Sequence, residues 1–328
     1  MSAAAAAAAA DADAVDPSYP PLLSGAAMPP PPPPGPEPLH VPLIDLENLE
    51  PKRLGDVCRS LGLFRLVNHG LPRELSDRVQ AETRRILEMP FERKRAEMSE
   101  PEGGGPVVYF WGTPAVRLSL RSVNWVEGLH VSLAGIRSGD RLDCSASLRS
   151  LMEEYGKHMV RIVQTLFESM ALDLKLDPNL LDSCMDPSNG IFRMYRYPCL
   201  PKAQSCLGMG AHTDSSVLTV VDQDDVGGLE ILHDDSWFHV MPVANTLIVN
   251  IGDMLQAISN DEYKSVEHRV LANGTKERMS FCFFVFPKED FKIRSSSYRE
   301  FTYSEFKAQV QEDIKETGDK VGLKKFRL

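Results

Sequence analysis

The sequence predicts a mainly β fold with helices: a double-stranded β-helix, or jelly-roll, core flanked by an N-terminal helical region and a long supporting helix. Three observations carry that expectation. From Ile191 onward, short apolar segments alternate with turn residues, the texture of a double-sheet β-fold. Ahead of them, Leu148, Leu151, Tyr155, Met159, Ile162, Leu166 and Met170 recur at steps of three and four, which puts all of them on one helix face in need of a partner surface. No repeat of 20 to 50 residues is present, so a solenoid or propeller is not expected.

The elements follow in order. Residues 1–38 hold an alanine run, Ala3 to Ala10, and a proline run, Pro29 to Pro34; such composition buries too little apolar surface to offset ordering entropy, and a disordered tail is expected. Val41-Pro-Leu-Ile-Asp-Leu46 reads as a short β segment, and Pro51 to Ser60 as a helix with proline in its first turn. Leu63 to Val67 reads as a strand closed by the turn Asn68-His-Gly70, and Glu74 to Met89 as a helix stopped by Pro90. Gly103 to Pro106 reads as a flexible loop. After the long helix come strands at Ile191 to Tyr197, Val217 to Val221, Leu229 to Leu232, Trp237 to Val240, Leu247 to Ile251, His268 to Leu271 and Met279 to Phe286. The turns His233-Asp-Asp-Ser236 and Asn273-Gly274 fit hairpins. Residues 39–140 are expected to form an N-terminal region, and residues 141–328 the supporting helix and jelly-roll core, working as one unit.

Composition narrows the function. With 328 residues, 43% hydrophobic and 25% charged, the chain is long and apolar enough for a sizeable core. A formal net charge of -10 argues against nucleic acid as a partner, because phosphate binding needs a basic face. Six cysteines with no CxxC pair read as reduced thiols. The alanine run lacks the basic flank of a targeting segment, since the first Lys or Arg is Lys52, and no stretch is long enough to span a bilayer. A cytoplasmic protein is expected, with the nucleus also open to it, and no protein partner is evident.

The chemistry centres on His212-Thr-Asp214 and His268, the third lying 268 - 212 = 56 residues further on. Alternation along a strand would let His212 and Asp214 face one point, with His268 arriving from another strand. Two imidazoles and one carboxylate on one face of an octahedron leave three positions open, the arrangement of non-haem iron(II) oxygenases. HxD alone is a weak pattern. It gains weight from Arg278-Met-Ser280, which follows His268 by 278 - 268 = 10 residues inside a strongly apolar run. On a strand Arg278 and Ser280 share a face, and a planar guanidinium beside a hydroxyl grips a carboxylate. A buried cation there needs an anionic partner.

Gly210-Ala-His-Thr-Asp214, Leu247-Ile-Val-Asn-Ile-Gly-Asp-Met254, Tyr263-Lys-Ser-Val-Glu-His-Arg-Val270 and Glu277-Arg-Met-Ser280 closely resemble the plant soluble 2-oxoglutarate and iron(II) dependent dioxygenases. Val41 to Asp45 and Phe64 to Gly70 resemble that family's N-terminal region, so the resemblance runs over roughly residues 41–287. It implies iron on His212, Asp214 and His268, with Arg278 and Ser280 on the distal carboxylate of 2-oxoglutarate and the Tyr197 hydroxyl touching the same oxoacid. It implies a catalytic set of His212, Asp214, His268 and Arg278, O2 as co-substrate and support by ascorbate. The family usually carries Asn where this chain has Tyr195. Asn124 to His130, Asp222 to Leu229 and Tyr263 to Val270 look most like the gibberellin 2-oxidases, especially those acting on C20 gibberellins, while neighbouring subfamilies oxidise auxin, flavonoids and alkaloids.

The implied partner is a small apolar carboxylic acid. Its pocket would mix aromatic with basic or hydroxyl groups, and Phe110, Trp111, Trp125, His130 and Phe281 are candidates, each equally suited to plain core packing. Two other readings stay open at this point. A zinc hydrolase would ignore 2-oxoglutarate, and a non-catalytic binding relative would ordinarily have lost a ligand.

Overall fold

A computed structural model of the chain describes residues 16–20, 39–98, 107–112, 124–138, 146–199 and 207–328. In chain order its elements are β1 (Leu43–Asp45), α1 (Pro51–Ser60), β2 (Leu63–Val67), α2 (Arg73–Leu87), α3 (Phe91–Met98), β3 (Val107–Trp111), β4 (Glu127–Ser132), α4 (Leu133–Ser138), α5 (Ala146–Leu174), α6 (Leu181–Cys184), β5 (Asp186–Tyr197), β6 (Leu207–His212), β7 (Leu218–Gln223), β8 (Leu229–His233), β9 (Ser236–His239), β10 (Leu247–Ile251), α7 (Asp253–Ile258), β11 (His268–Leu271), β12 (Arg278–Phe286), β13 (Lys292–Ile293), β14 (Phe301–Thr302) and α8 (Tyr303–Thr317).

Two sheets build the jelly roll. The larger runs β1-β2-β10-β7-β12-β5-β4-β3 and the smaller β6-β11-β8-β9. Pairing within them is antiparallel except for β1 with β2. Strand alternation divides the large sheet into two working faces. Phe281 and Phe283 of β12, Phe192 and Met194 of β5, and Val220 of β7 meet Leu151, Tyr155, Met159, Ile162 and Leu166 of α5 in the outer core. Each such buried side chain contributes roughly 1.5–3 kcal/mol, so α5 is the support its periodicity called for. Tyr195, Tyr197, Cys282 and Phe284 face the other way, toward Leu229, Ile231 and Val270 of the small sheet.

Several expectations change. The N-terminal region is more than helical: β1 to β4 form both flanks of the large sheet. The hairpin at His233 to Ser236 is present, with Asp234 and Asp235 both in the left-handed region that a two-residue hairpin turn requires. Asn273-Gly274 makes no hairpin. β11 belongs to the small sheet and β12 to the large one, so this connection crosses between walls. Part of the expected tail is docked: Ser18 and Tyr19 are buried, the Tyr19 hydroxyl donates to Glu277 Oε2 (2.9 Å), and Arg196 Nη1 donates to Ser18 Oγ (3.0 Å). The rest of residues 1–38 and the Gly103 to Pro106 loop lie outside the described residues, as do Cys144 and Cys206; Cys58, Cys184, Cys199 and Cys282 are free thiols.

Candidate active site

β6 ends at His212, whose register partner is His268, the first residue of β11. Asp214 lies two residues past the strand end, so the loop, and not strand alternation, brings it in. That loop is tied to α7 by Asp253 N donating to Asp214 O (2.8 Å). The three ligating atoms lie within 4.8 Å of one another. Nε2 of His212 and of His268 stand 3.7 and 3.8 Å from Asp214 Oδ1. Each imidazole is oriented from behind, Nδ1 of His212 by Gly210 O (2.8 Å) and Nδ1 of His268 by Val266 O (3.2 Å). A carbonyl only accepts, so Nδ1 carries the proton and both Nε2 lone pairs face the centre.

The other carboxylate oxygen, Asp214 Oδ2, accepts from Thr219 Oγ1 (2.6 Å) and Asn250 Nδ2 (2.8 Å). Burial would raise the carboxyl pKa, but the two imidazoles and these two donors outweigh it and bring it down to about 2. His212 is pushed down to about 4, by burial first and the charge of His268 second. Around neutral pH this corner therefore offers an anion and a neutral His212 imidazole, a donor set suited to a divalent cation.

Across the cleft, Arg278 and Ser280 share the inner face of β12, with Arg278 Nη1 donating to Ser280 Oγ (2.9 Å) and Nη2 to Gln223 Oε1 (3.0 Å). Arg278 is 1% exposed, its guanidinium lies 4.8 Å from the Tyr197 ring centre, and its Nε has no hydrogen-bond partner. Among the described residues no carboxylate makes an ion pair with it. A fully buried cation with a spare N–H fits a small anion at this place. Two glycines keep the space narrow and open: a Cβ on Gly208 would meet Tyr197 Cδ1 at 2.5 Å, and one on Gly228 would meet Leu271 O at 2.5 Å.

Residues 188–287 match the model of the 2OG-Fe(II) oxygenase superfamily, and residues 41–134 match that of the non-haem dioxygenase in morphine synthesis N-terminal region. Gibberellin 2-beta-dioxygenase 6 of Oryza sativa subsp. japonica is 37% identical over 312 residues, covering 87% of this chain and 84% of the relative. The chain belongs to the 2OG-Fe(II) oxygenase superfamily. Gibberellin 2-beta-dioxygenase 8 of Arabidopsis thaliana is 36% identical over 304 residues, covering 88% of each. Among solved structures, that of JOX2 in complex with 2OG, Fe and JA superposes with TM-score 0.74 at 29% identity, covering 84% of this chain and 85% of that one. The dioxygenase for auxin oxidation in rice superposes with TM-score 0.71 at 27% identity, covering 88% of this chain and 100% of that one. This oxygenase is therefore an enzyme using Fe(II) and 2-oxoglutarate, and the jelly roll is the fold of its relatives. Among the described residues no helix is long and apolar enough to cross a membrane.

The oxygenase divides the five proposed pocket residues. Phe110 and His130 stand on the inner side, Phe110 edge-on to Tyr195 (5.8 Å) and His130 paired with Arg193 of β5. Phe281 alternates to the opposite face of β12 from Ser280 and packs in the outer core, so it is no pocket residue. Trp111 sits edge-on between Tyr19 (6.0 Å) and Trp125 (6.4 Å), which ties both tryptophans to the docked N-terminal segment. Sequence reasoning missed Thr219, Gln223 and Lys320. Lys320 Nζ pairs with Asp253 Oδ2 (2.6 Å) and donates to Thr213 O (2.8 Å), pinning the loop that carries Asp214. Asn250 and Gln223 could have been found, because each lies inside a motif already singled out.

Proposed function

We propose that His212, Asp214 and His268 hold the iron of this oxygenase, that Arg278 and Ser280 hold the distal carboxylate of 2-oxoglutarate, and that the Tyr197 hydroxyl touches the same oxoacid. The observation that carries this is the pairing of a converged two-imidazole, one-carboxylate set with a buried, ion-pair-free guanidinium on the facing wall. When bound, the metal would activate O2, the oxidant, with 2-oxoglutarate as its first reductant: one oxygen atom would end in the succinate left by loss of CO2 and the other in the hydroxylated organic substrate.

The chain's own residues do the rest. Gly210 O and Val266 O fix the tautomers that aim both Nε2 atoms inward; Thr219 and Asn250 occupy Asp214 Oδ2 and leave Oδ1 toward the metal. Arg278 and Ser280 orient the diacid, while Tyr197, Leu229 and Ile231 line the space between the sheets with apolar surface that excludes water. The substrate is a gibberellin, hydroxylated at its 2-beta position. Support comes from the gibberellin 2-beta-dioxygenases, which match across 87–88% of this chain at 32–37% identity. Oxidation of auxin or jasmonate is a second reading, favoured by the two structural relatives described above.

Anaerobic addition of Fe(II) and 2-oxoglutarate should produce the visible charge-transfer band of the chelate, and His268→Ala should lose it. Arg278→Ala should raise the KM for 2-oxoglutarate about 10- to 100-fold, the worth of a charge-assisted hydrogen-bonded pair. An unchanged KM would remove Arg278 from the site. Succinate release with a gibberellin, an auxin and a jasmonate in parallel decides the substrate.

A further inference from the structure

We propose that Arg193, steadied by Tyr195 and Phe284, receives the carboxylate of the organic substrate at the mouth of the cleft between the two sheets. This deepens the reading above by naming the residue that selects an acid, and it rests on that reading for the location of the metal.

The face is fixed by register. On β5, Arg193 stands opposite His130 of β4 and Cys282 of β12, and it shares its side with Tyr195 and Tyr197. Its neighbours in the chain, Phe192 and Met194, point into the outer core under α5. Tyr195, Tyr197 and Cys282 are buried on this inner wall, whereas Arg193 is exposed, so its guanidinium stands where the wall opens to solvent.

The surroundings lack a partner that would satisfy the charge. Arg193 lies 5.5 Å from the Phe284 ring centre and is hydrogen-bonded to the Tyr195 hydroxyl, and among the described residues no carboxylate makes an ion pair with it. The carboxylate charge it does sense is that of Asp214, which is committed to the two imidazoles. His130 adds no competing cation, because burial and the Arg193 charge push it down to about 4. A cation facing the metal corner does nothing for a divalent ion. It does attract an organic anion.

Arg193 is also separate from the co-substrate grip. Its register partner Cys282 is four residues along β12 from Arg278, about 13 Å on a strand, too far for two parallel guanidinia to share one carboxylate. The aromatic at position 195 gains a role here. Where the family usually has Asn, the Tyr195 ring is packed edge-on by Phe110 (5.8 Å) and its hydroxyl fixes the direction of Arg193. The ligand class is an apolar skeleton bearing at least one carboxylate, which gibberellins, auxin and jasmonate all share.

The test compares acids with their methyl esters. Full-length wild type, Arg193→Gln and Arg193→Lys are loaded with Fe(II) and 2-oxoglutarate and given a C20 gibberellin, indole-3-acetic acid or jasmonic acid, each also as its ester. Succinate and hydroxylated product are followed by mass spectrometry. For the acid that is used, wild type should prefer acid over ester in kcat/KM by about 10- to 100-fold. Arg193→Gln should collapse that ratio to near one, with the loss in KM for the acid, and Arg193→Lys should keep part of it. If wild type uses acid and ester equally, or if Arg193→Gln keeps the ratio, the assignment is overturned; the wild-type comparison needs no variant to fold. A shift confined to the KM for 2-oxoglutarate would also overturn it. If indole-3-acetic or jasmonic acid is used with an Arg193-dependent ratio and the gibberellin is not, the gibberellin reading falls and Arg193 stands. Gibberellin turnover that is blind to the ester has the reverse meaning, and no turnover of any acid overturns both.

Discussion

Asp214 gives its two oxygens different tasks. Oδ1 faces both imidazoles, and Oδ2 is held by Thr219 and Asn250, so the carboxylate arrives already rotated for a single-oxygen bond to a cation. Thr219→Val keeps the volume and removes one donor, and it should weaken Fe(II) affinity about 10- to 100-fold while the fold persists. Anaerobic Fe(II) titration reads this, and an unaltered affinity would show that Thr219 plays no part. His130 makes a second prediction, now about acid stability. Its folded pKa of about 4 lies below the ordinary value of 6.5, so the unfolded chain takes up a proton first as pH falls. Stability is lost between those two values; between pH 7.5 and 4.5 the wild type should lose about 2–3 kcal/mol more than His130→Gln in urea unfolding. Equal losses would contradict the burial of a neutral imidazole.

At the level of elements, β12 is where both layers of the molecule meet. Phe281 and Phe283 anchor it to α5, while Arg278 and Ser280 turn inward. The C-terminal stretch after α8 supports the opposite corner through the Lys320–Asp253 pair, whose side chains are 12% and 4% exposed. Lys320→Met leaves Asp253 buried without its countercharge and should cost about 3–5 kcal/mol in urea unfolding. A loss below 1 kcal/mol would mean the pair is solvated. Much of this was legible from residues alone. The period of Leu148 to Met170 called α5, strict alternation exposed Arg278 and Ser280 as neighbours, and four spaced motifs carried the family. What escaped was of a different kind. Tyr109-Phe-Trp111 has no polar alternation, because β3 is packed on both sides, so a strand there looked like pocket lining. α3 is crowded with Glu, Arg and Lys and lacks an apolar face to count, and its Lys94 is buried because Glu127 on β4 and the Leu87 carbonyl both accept from its ammonium. Asn273-Gly274 has hairpin chemistry, yet nothing local tells a hairpin from an arch that changes sheets. α8, by contrast, carried readable signals in the Thr302 and Glu305 capping box and in Gly318.

At the scale of the whole molecule, distant parts of the chain converge on the residue just before Arg278. Glu277 accepts from Arg196 Nε (2.6 Å) and from the Tyr19 hydroxyl (2.9 Å), and is paired with Arg84 of α2. Arg196 in turn meets Glu127 Oε1 (2.9 Å), whose other oxygen takes Lys94 Nζ (2.6 Å) and the Tyr109 hydroxyl (2.7 Å). Segment 16–20, α2, α3, β3, β4 and β5 are thus fastened to one end of β12 from outside. The crossing of residues 272–277 from one sheet to the other then has a mechanical meaning. His268 and Arg278 sit on opposing jaws of the cleft, so on the proposed assignment a diacid tied to a cation on one jaw and to a guanidinium on the other would rivet the jaws together. Heating the protein with Fe(II) and 2-oxoglutarate together should raise its melting temperature by more than the two separate increments combined, and Arg278→Ala should reduce that excess to nothing, because a rivet with one head cut off holds no load.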